Sequence, residues 1–218
     1  MKSIVKGASS AEFEYWKAQA NDAWQPGYDE LQNPQKRRLH EALLIEQGRV
    51  CCYCGRSISL GDSHIEHFRP QEQRADLALD FANLHASCIR ELAPGAPLHC
   101  GHAKANHFDE SLAVSPLEVD CERRFIYSPK NGAIYPADRA DQAVAYMVEL
   151  LQLDISFLRD RRAQALGGAF DDQFVASASN EELEALARGY RQPDGNGQLS
   201  DFGHALARYA EQLLGHAV

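Results

Sequence analysis

Apolar positions recur at helical spacing in two early stretches, residues 10–20 and 34–48. In the second, Leu39, Leu43 and Leu44 fall on one face, and Gly48 stands where a terminating glycine would. The N-terminal part of the chain is therefore expected to be helical. From Val50 to Asp109 the periodicity breaks into short pieces rich in Cys, His, Gly and Pro, the pattern of a chain held by a metal rather than by a large core. Phe125-Ile126-Tyr127 and Ala133-Ile134-Tyr135 are separated by a run that ends in Asn131-Gly132, which predicts a β-hairpin. Helical spacing returns over roughly 139–166, 179–189 and 201–215, with a break near Leu153-Asp154, and Pro193 to Gly197 reads as a loop. The pattern divides the chain into a helical segment (1–48), a metal-stapled core (49–112) and a hairpin with C-terminal helices packed on that core (113–218). The fold class is α+β with a helical majority.

Composition adds limits. A chain of 218 residues with 44% hydrophobic and 24% charged positions can bury a core, which excludes a disordered or fibrous protein. No apolar run approaches the ~20 residues of a membrane span. The start, Met1-Lys2-Ser3-Ile4-Val5-Lys6-Gly7, has no apolar leader region, so a cytoplasmic protein is expected. The net charge of −9, from 22 Lys and Arg against 31 Asp and Glu, argues against a free-standing binder of nucleic acid. Its distribution is uneven: residues 36–75 carry seven basic against five acidic side chains, and residues 171–218 three against eight. Any basic surface must be local or supplied by a partner.

Candidate chemistry lies in the irregular middle. Cys51 and Cys54 form a C-x-x-C knuckle, and Cys88 and Cys100 provide a second pair, so together they make a Cys₄ donor set for structural zinc. The second pair is separated by eleven residues, which leaves His85 and His99 as substitute ligands, and a disulfide or plain buried thiols as the competing explanations. Cys52 and Cys121 read as packed thiols. Between the pairs runs His64-Ile65-Glu66-His67-Phe68-Arg69-Pro70, followed by Asn83-Leu84 and by Gly101-His102-Ala103-Lys104 after Cys100. Glu66 and His67 are adjacent, so a regular strand would point them to opposite faces unless it bends or ends there. A carboxylate and a neutral imidazole that hold a divalent ion, with a second imidazole as base, suit hydrolysis of a phosphodiester. His64 and His107, taken singly, read as structural residues.

The order of these residues resembles that of the HNH endonucleases. More closely, Cys51-x-x-Cys54, the Ile65 to Pro70 run, Asn83-Leu84 and Cys100-Gly101-His102-Ala103-Lys104 are similar to the PtuB subfamily of Septu and retron anti-phage systems, over about residues 45–165. The resemblance implies a zinc-stapled ββα-metal motif among helices. It makes His67 the general base, Glu66 and His102 the ligands of a catalytic magnesium or manganese ion, and Asn83 the residue that orients the loop carrying His67. Lys104 and Arg69 become candidate phosphate contacts. It also implies a DNA substrate, RNA being less favoured, and a PtuA-type ATPase partner in a defence complex. Many HNH proteins carry Asn directly after the last Cys, whereas Gly101 stands here, so Asn106 and His107 are alternative ligands should the helix begin later.

Two other functions fit the same residues. One is a zinc-stapled binding or scaffold module without catalysis; the other is a zinc hydrolase of small substrates, for which no H-E-x-x-H run is present. Arg159, Arg161 and Arg162, interrupted by Asp160, read as a solvated helix face.

Overall fold

A computed structural model describes residues 1–91 and 94–215. The first helix, α1 (Ala11–Lys17), begins where the Ser10 side chain accepts a hydrogen bond from the Phe13 amide, and it buries Phe13. The second, α2 (Gln35–Glu46), buries Leu39, His40, Leu43 and Leu44 along one stripe and stops just before Gly48, as the spacing predicts.

The irregular middle is a short antiparallel hairpin followed by one helical turn. Strand β1 (Ser63–His67) pairs with β2 (Leu84–Cys88) in the register Ser63↔Cys88 through His67↔Leu84. Every residue of β2 is buried, because α2 covers one of its sides and α3 (Gly101–Lys104) closes on the other. The cysteine knuckle sits between α2 and β1, tied to β2 by the hydrogen bond from the Cys52 amide to the Ala86 carbonyl (3.2 Å).

The predicted hairpin is present as β3 (Phe125–Tyr127) and β4 (Ile134–Pro136). Gly132 in its turn has φ +64°, and a Cβ there would lie 1.9 Å from the Arg159 carbonyl oxygen, so glycine is required both by conformation and by the helix passing beside it. That helix is α5 (Ser156–Ala169), separated from α4 (Gln142–Leu150) at the anticipated break. Asp154 in the break accepts hydrogen bonds from the Ile134 amide (3.0 Å) and the Arg159 guanidinium (2.9 Å), which joins the hairpin to the start of α5. The expected solvated arginine face is corrected at Arg162. This residue is 1% exposed and donates to the carbonyls of Gly132 (2.7 Å) and Leu153 (2.8 Å), buried acceptors that need a donor.

A six-residue helix that the spacing did not reveal, α6 (Asp172–Ser177), is capped by Asp171. It leads into α7 (Asn180–Gly189), which opens with a Ser179/Glu182 capping box. Last comes α8 (Gly203–Leu213), whose residues from Gly203 to Ala210 are all buried against α5, α7 and β3. Just before α8, the Phe202 amide donates to the Gly55 carbonyl (2.8 Å), so the C-terminal helices brace the cysteine knuckle. Among the described residues, no helix is long and apolar enough to cross a membrane.

Candidate active site

The four cysteines of the proposed donor set converge. Cys51 and Cys54 come from the knuckle, Cys88 from the end of β2 and Cys100 from the residue that caps α3, and all four Sγ atoms lie within 4.8 Å of one another. Tetrahedral zinc at about 2.3 Å from each sulfur would space the sulfurs about 3.8 Å apart. Cys54 Sγ and Cys88 Sγ are 3.6 Å apart, so the donor set fits zinc. The eleven-residue gap is no obstacle, because strand end and helix start meet across the connecting loop.

The sulfurs converge on one point rather than pairing, and no disulfide joins any of the six cysteines. Burial pushes the Cys51 thiol up, yet hydrogen bonds from Cys100, Cys52, Cys54 and Cys88 hold it well below its ordinary value; Cys88 and Cys100 are pushed well above theirs. Four thiolates brought this close need a cation to balance their charge. His99 stays at the margin, with Nδ1 3.3 Å from Cys100 Sγ and its ring stacked on Phe157. His85 is on β2 with both ring nitrogens buried and without a hydrogen-bond partner. Neither is needed as a substitute ligand. Cys52 and Cys121 are buried outside the cluster, as expected of packed thiols.

Strand alternation places His64 and Glu66 on one face of β1 and Ile65 and His67 on the other. Glu66 is 7% exposed. Its Oε1 accepts from the Tyr53 hydroxyl (3.0 Å) and pairs with Lys104 Nζ (3.0 Å), and its Oε2 lies 3.3 Å from His64 Nε2. Burial would raise the Glu66 carboxyl, but the His64 hydrogen bond and the Lys104 ammonium hold it below the usual range. His64 Nδ1 and His102 Nε2 both face the Ile89 carbonyl, at 2.5 and 2.8 Å, and the two imidazole rings are 4.7 Å apart. A carbonyl only accepts, so each of these nitrogens carries its proton. Burial lowers the His64 pKa, but the hydrogen bond to Glu66 and the Glu66 charge raise it overall, so Nε2 donates to Oε2 here and offers a lone pair only in the ring that has released that proton.

His67 faces away from this carboxylate. Its Nε2 is 3.0 Å from the Ala78 carbonyl, so Nε2 carries the proton and Nδ1 is the basic nitrogen. Its ring stands edge-on to Tyr28 at 4.4 Å. Burial lowers the His67 pKa despite the Ala78 bond and the Glu66 charge, which favours the neutral form at physiological pH. Asn83 clamps the turn after His67: Oδ1 accepts from the Arg69 amide (2.8 Å), and Nδ2 donates to the carbonyls of Arg69 (3.0 Å) and Leu77 (3.3 Å).

Lys104 is buried, and besides Glu66 its ammonium donates to the His67 carbonyl (3.0 Å), so it ties the strand end to α3. Arg69 forms a forked pair with Glu110 on the surface. Asn106 and His107 are exposed beyond the end of α3, which starts at Gly101 and includes His102.

Gly101 accounts for the absence of Asn after the last cysteine. A Cβ at this position would lie 2.4 Å from Glu66 Oε2 and 2.7 Å from His64 Nε2. The helix can approach the carboxylate only without a side chain there. His64, Tyr53 and Gly101 were not singled out in the sequence for roles at the carboxylate. For His64 the signal was present, since two residues along a strand share a face with Glu66.

No family model matches the chain. Over 93 residues it is 28% identical to a protein of Vibrio cholerae serotype O1 biovar El Tor named "Retron Vc95 putative HNH endonuclease", covering 41% of this chain. The likeness supports a nuclease of the HNH type. The chain spans 43% of that relative's length.

Proposed function

We propose that the protein is a metal-dependent HNH endonuclease that hydrolyses phosphodiester bonds in DNA. The observation that carries this reading is the His67 turn. A half-buried imidazole with one nitrogen fixed to Ala78 and the other left basic is followed directly by a backbone turn that Asn83 holds with three hydrogen bonds. This unit stands on four converging cysteines.

In this account Nδ1 of His67 takes a proton from the attacking water, and the phosphorus–oxygen bond to the leaving nucleotide breaks. Glu66 provides the carboxylate for the divalent ion. His64 Nε2, 3.3 Å from Oε2, would provide the second donor to a divalent ion on giving up the proton it donates to Glu66. His102 fixes the Ile89 carbonyl that also orients His64, and it is the further ligand candidate on this face. A bound ion would polarise the scissile phosphate and stabilise charge on the leaving oxygen. Lys104 and Asn83 act as positioning residues, and the cysteines hold structural zinc. The PtuB-like motifs and the retron relative support a place in an anti-phage complex with a PtuA-type ATPase.

Nicking of supercoiled plasmid tests this reading. Purified protein, alone and with its ATPase, is expected to nick with magnesium or manganese and not without, and Glu66→Gln to lower the rate by about 10²-fold or more at unchanged zinc content. Zinc-loaded protein that cuts in neither setting would point to a zinc-stapled binding module instead.

A further inference from the structure

A cleft of about 650 Å³ lies between α2 and the first half of β1, and Tyr28 in its wall meets the His67 ring. Tyr28, Lys36, Arg37, His64, Ile65 and Arg90 are among its lining residues. No Asp or Glu lines it, although the chain carries 31 acidic side chains against 22 basic ones. Arg37 is paired with Glu41 at 2.9 Å. Among the described residues, Lys36 and Arg90 have no carboxylate within 4.0 Å. Arg90 also lines a second, adjoining cavity, together with Asp62 and Glu91.

The two unneutralised cations are connected to the proposed chemistry. Lys36 Nζ stands 4.8 Å from the centre of the Tyr28 ring, which also meets the His67 imidazole edge-on. Arg90 is anchored by the Leu60 carbonyl (3.2 Å) and follows Ile89, the residue whose carbonyl orients His64 and His102. One cation is therefore positioned toward His67 and the other toward the Glu66 and His64 face. Maintaining a cationic, acid-free cleft in an acidic protein fits an extended polyanion as occupant, with charge on both sides of the reacting centre.

We propose that this cleft binds the phosphodiester backbone of the cut DNA strand, with Lys36 and Arg90 each contacting a phosphate that flanks the scissile one. The proposal rests on the nuclease reading. It assigns the backbone contacts to residues other than Arg69 and Lys104, whose charges are paired with Glu110 and Glu66.

Binding measured apart from cutting tests it. Fluorescence anisotropy with a labelled duplex DNA, in buffer without added divalent ions, compares wild type, Lys36→Ala, Arg90→Ala, the double variant and the exposed control Lys130→Ala. Each cleft variant is expected to weaken binding about 5–10-fold and to reduce the slope of log K against log salt by about one, while Lys130→Ala changes neither. Wild-type affinity and slope in both cleft variants, or no binding by wild type, would overturn the proposal. The nuclease reading is decided separately, by plasmid nicking. If nicking is absent but the cleft variants lose DNA binding, the cleft stands and the catalytic reading falls.

Discussion

Gly101 is the residue at which the geometry makes its sharpest demand. In an ordinary helix, glycine to alanine is favourable by about 1 kcal/mol. Here the new methyl group would meet Glu66 Oε2 and His64 Nε2, both already fixed by Tyr53, Lys104 and Ile89. Gly101→Ala is therefore expected to lower stability by about 1–3 kcal/mol, a typical cost of overpacking, and to reduce nicking at least about tenfold with zinc retained. A variant with raised Tm and wild-type nicking would show that the carboxylate tolerates displacement. The same scale explains which residues could be read in advance. Glu66, His67, Asn83 and the four cysteines are legible because their residue types are chemically specific and closely spaced. Arg162 was not, because its acceptors are the carbonyls of Gly132 and Leu153, and no local pattern announces a carbonyl that needs a donor.

At the scale of elements, the knuckle, the end of β2 and the start of α3 meet at four buried sulfurs. Structural zinc contributes about 10–16 kcal/mol of binding free energy in small finger peptides, so the cysteine site should dominate the order of this unit. Cys100→Ser is expected to carry less than one zinc per chain and to melt at least about 10 °C lower, since each 1 kcal/mol moves Tm by about 2–4 °C in a chain of this size. Unchanged zinc content and Tm would contradict that role. Longer elements such as α2 and α8 could be read because each repeats its apolar face over several turns. The β3–β4 hairpin was announced by its Asn131-Gly132 turn. Six-residue α6 is too short for a period to register, and its visible signal is the Asp171 cap.

Across the whole molecule, Glu122 is the acidic node that joins distant parts of the chain. It is 5% exposed and receives Lys2 (3.2 Å), the Ser3 amide (2.9 Å) and Arg191 (3.0 Å). Burial raises its carboxyl, but the Lys2 charge, His204, the Ser3 amide and Arg191 together pull it down to about 2. A depressed folded-state pKa gives stability that is present above the ordinary carboxylate pKa and is lost as pH falls toward 2. The span corresponds to about 3 kcal/mol. Denaturant unfolding should show a loss of this order between about pH 5 and pH 2, with a shallower dependence in Glu122→Gln. An identical pH slope in the two proteins would remove Glu122 from that account. Net charge is also informative only at this scale: the total of −9 hides a cleft that no Asp or Glu lines and that gathers Lys36, Arg37 and Arg90.

The central claim is that His67 is the base of a phosphodiester hydrolysis, and chemical rescue tests it most directly. Plasmid nicking by His67→Gly with manganese, at unchanged zinc content, is expected to fall by about 10²–10⁴-fold and to recover in part with added imidazole, in proportion to the concentration of the neutral form. Nicking by His67→Gly at the wild-type rate would contradict the assignment, as would a loss that imidazole does not restore at any pH.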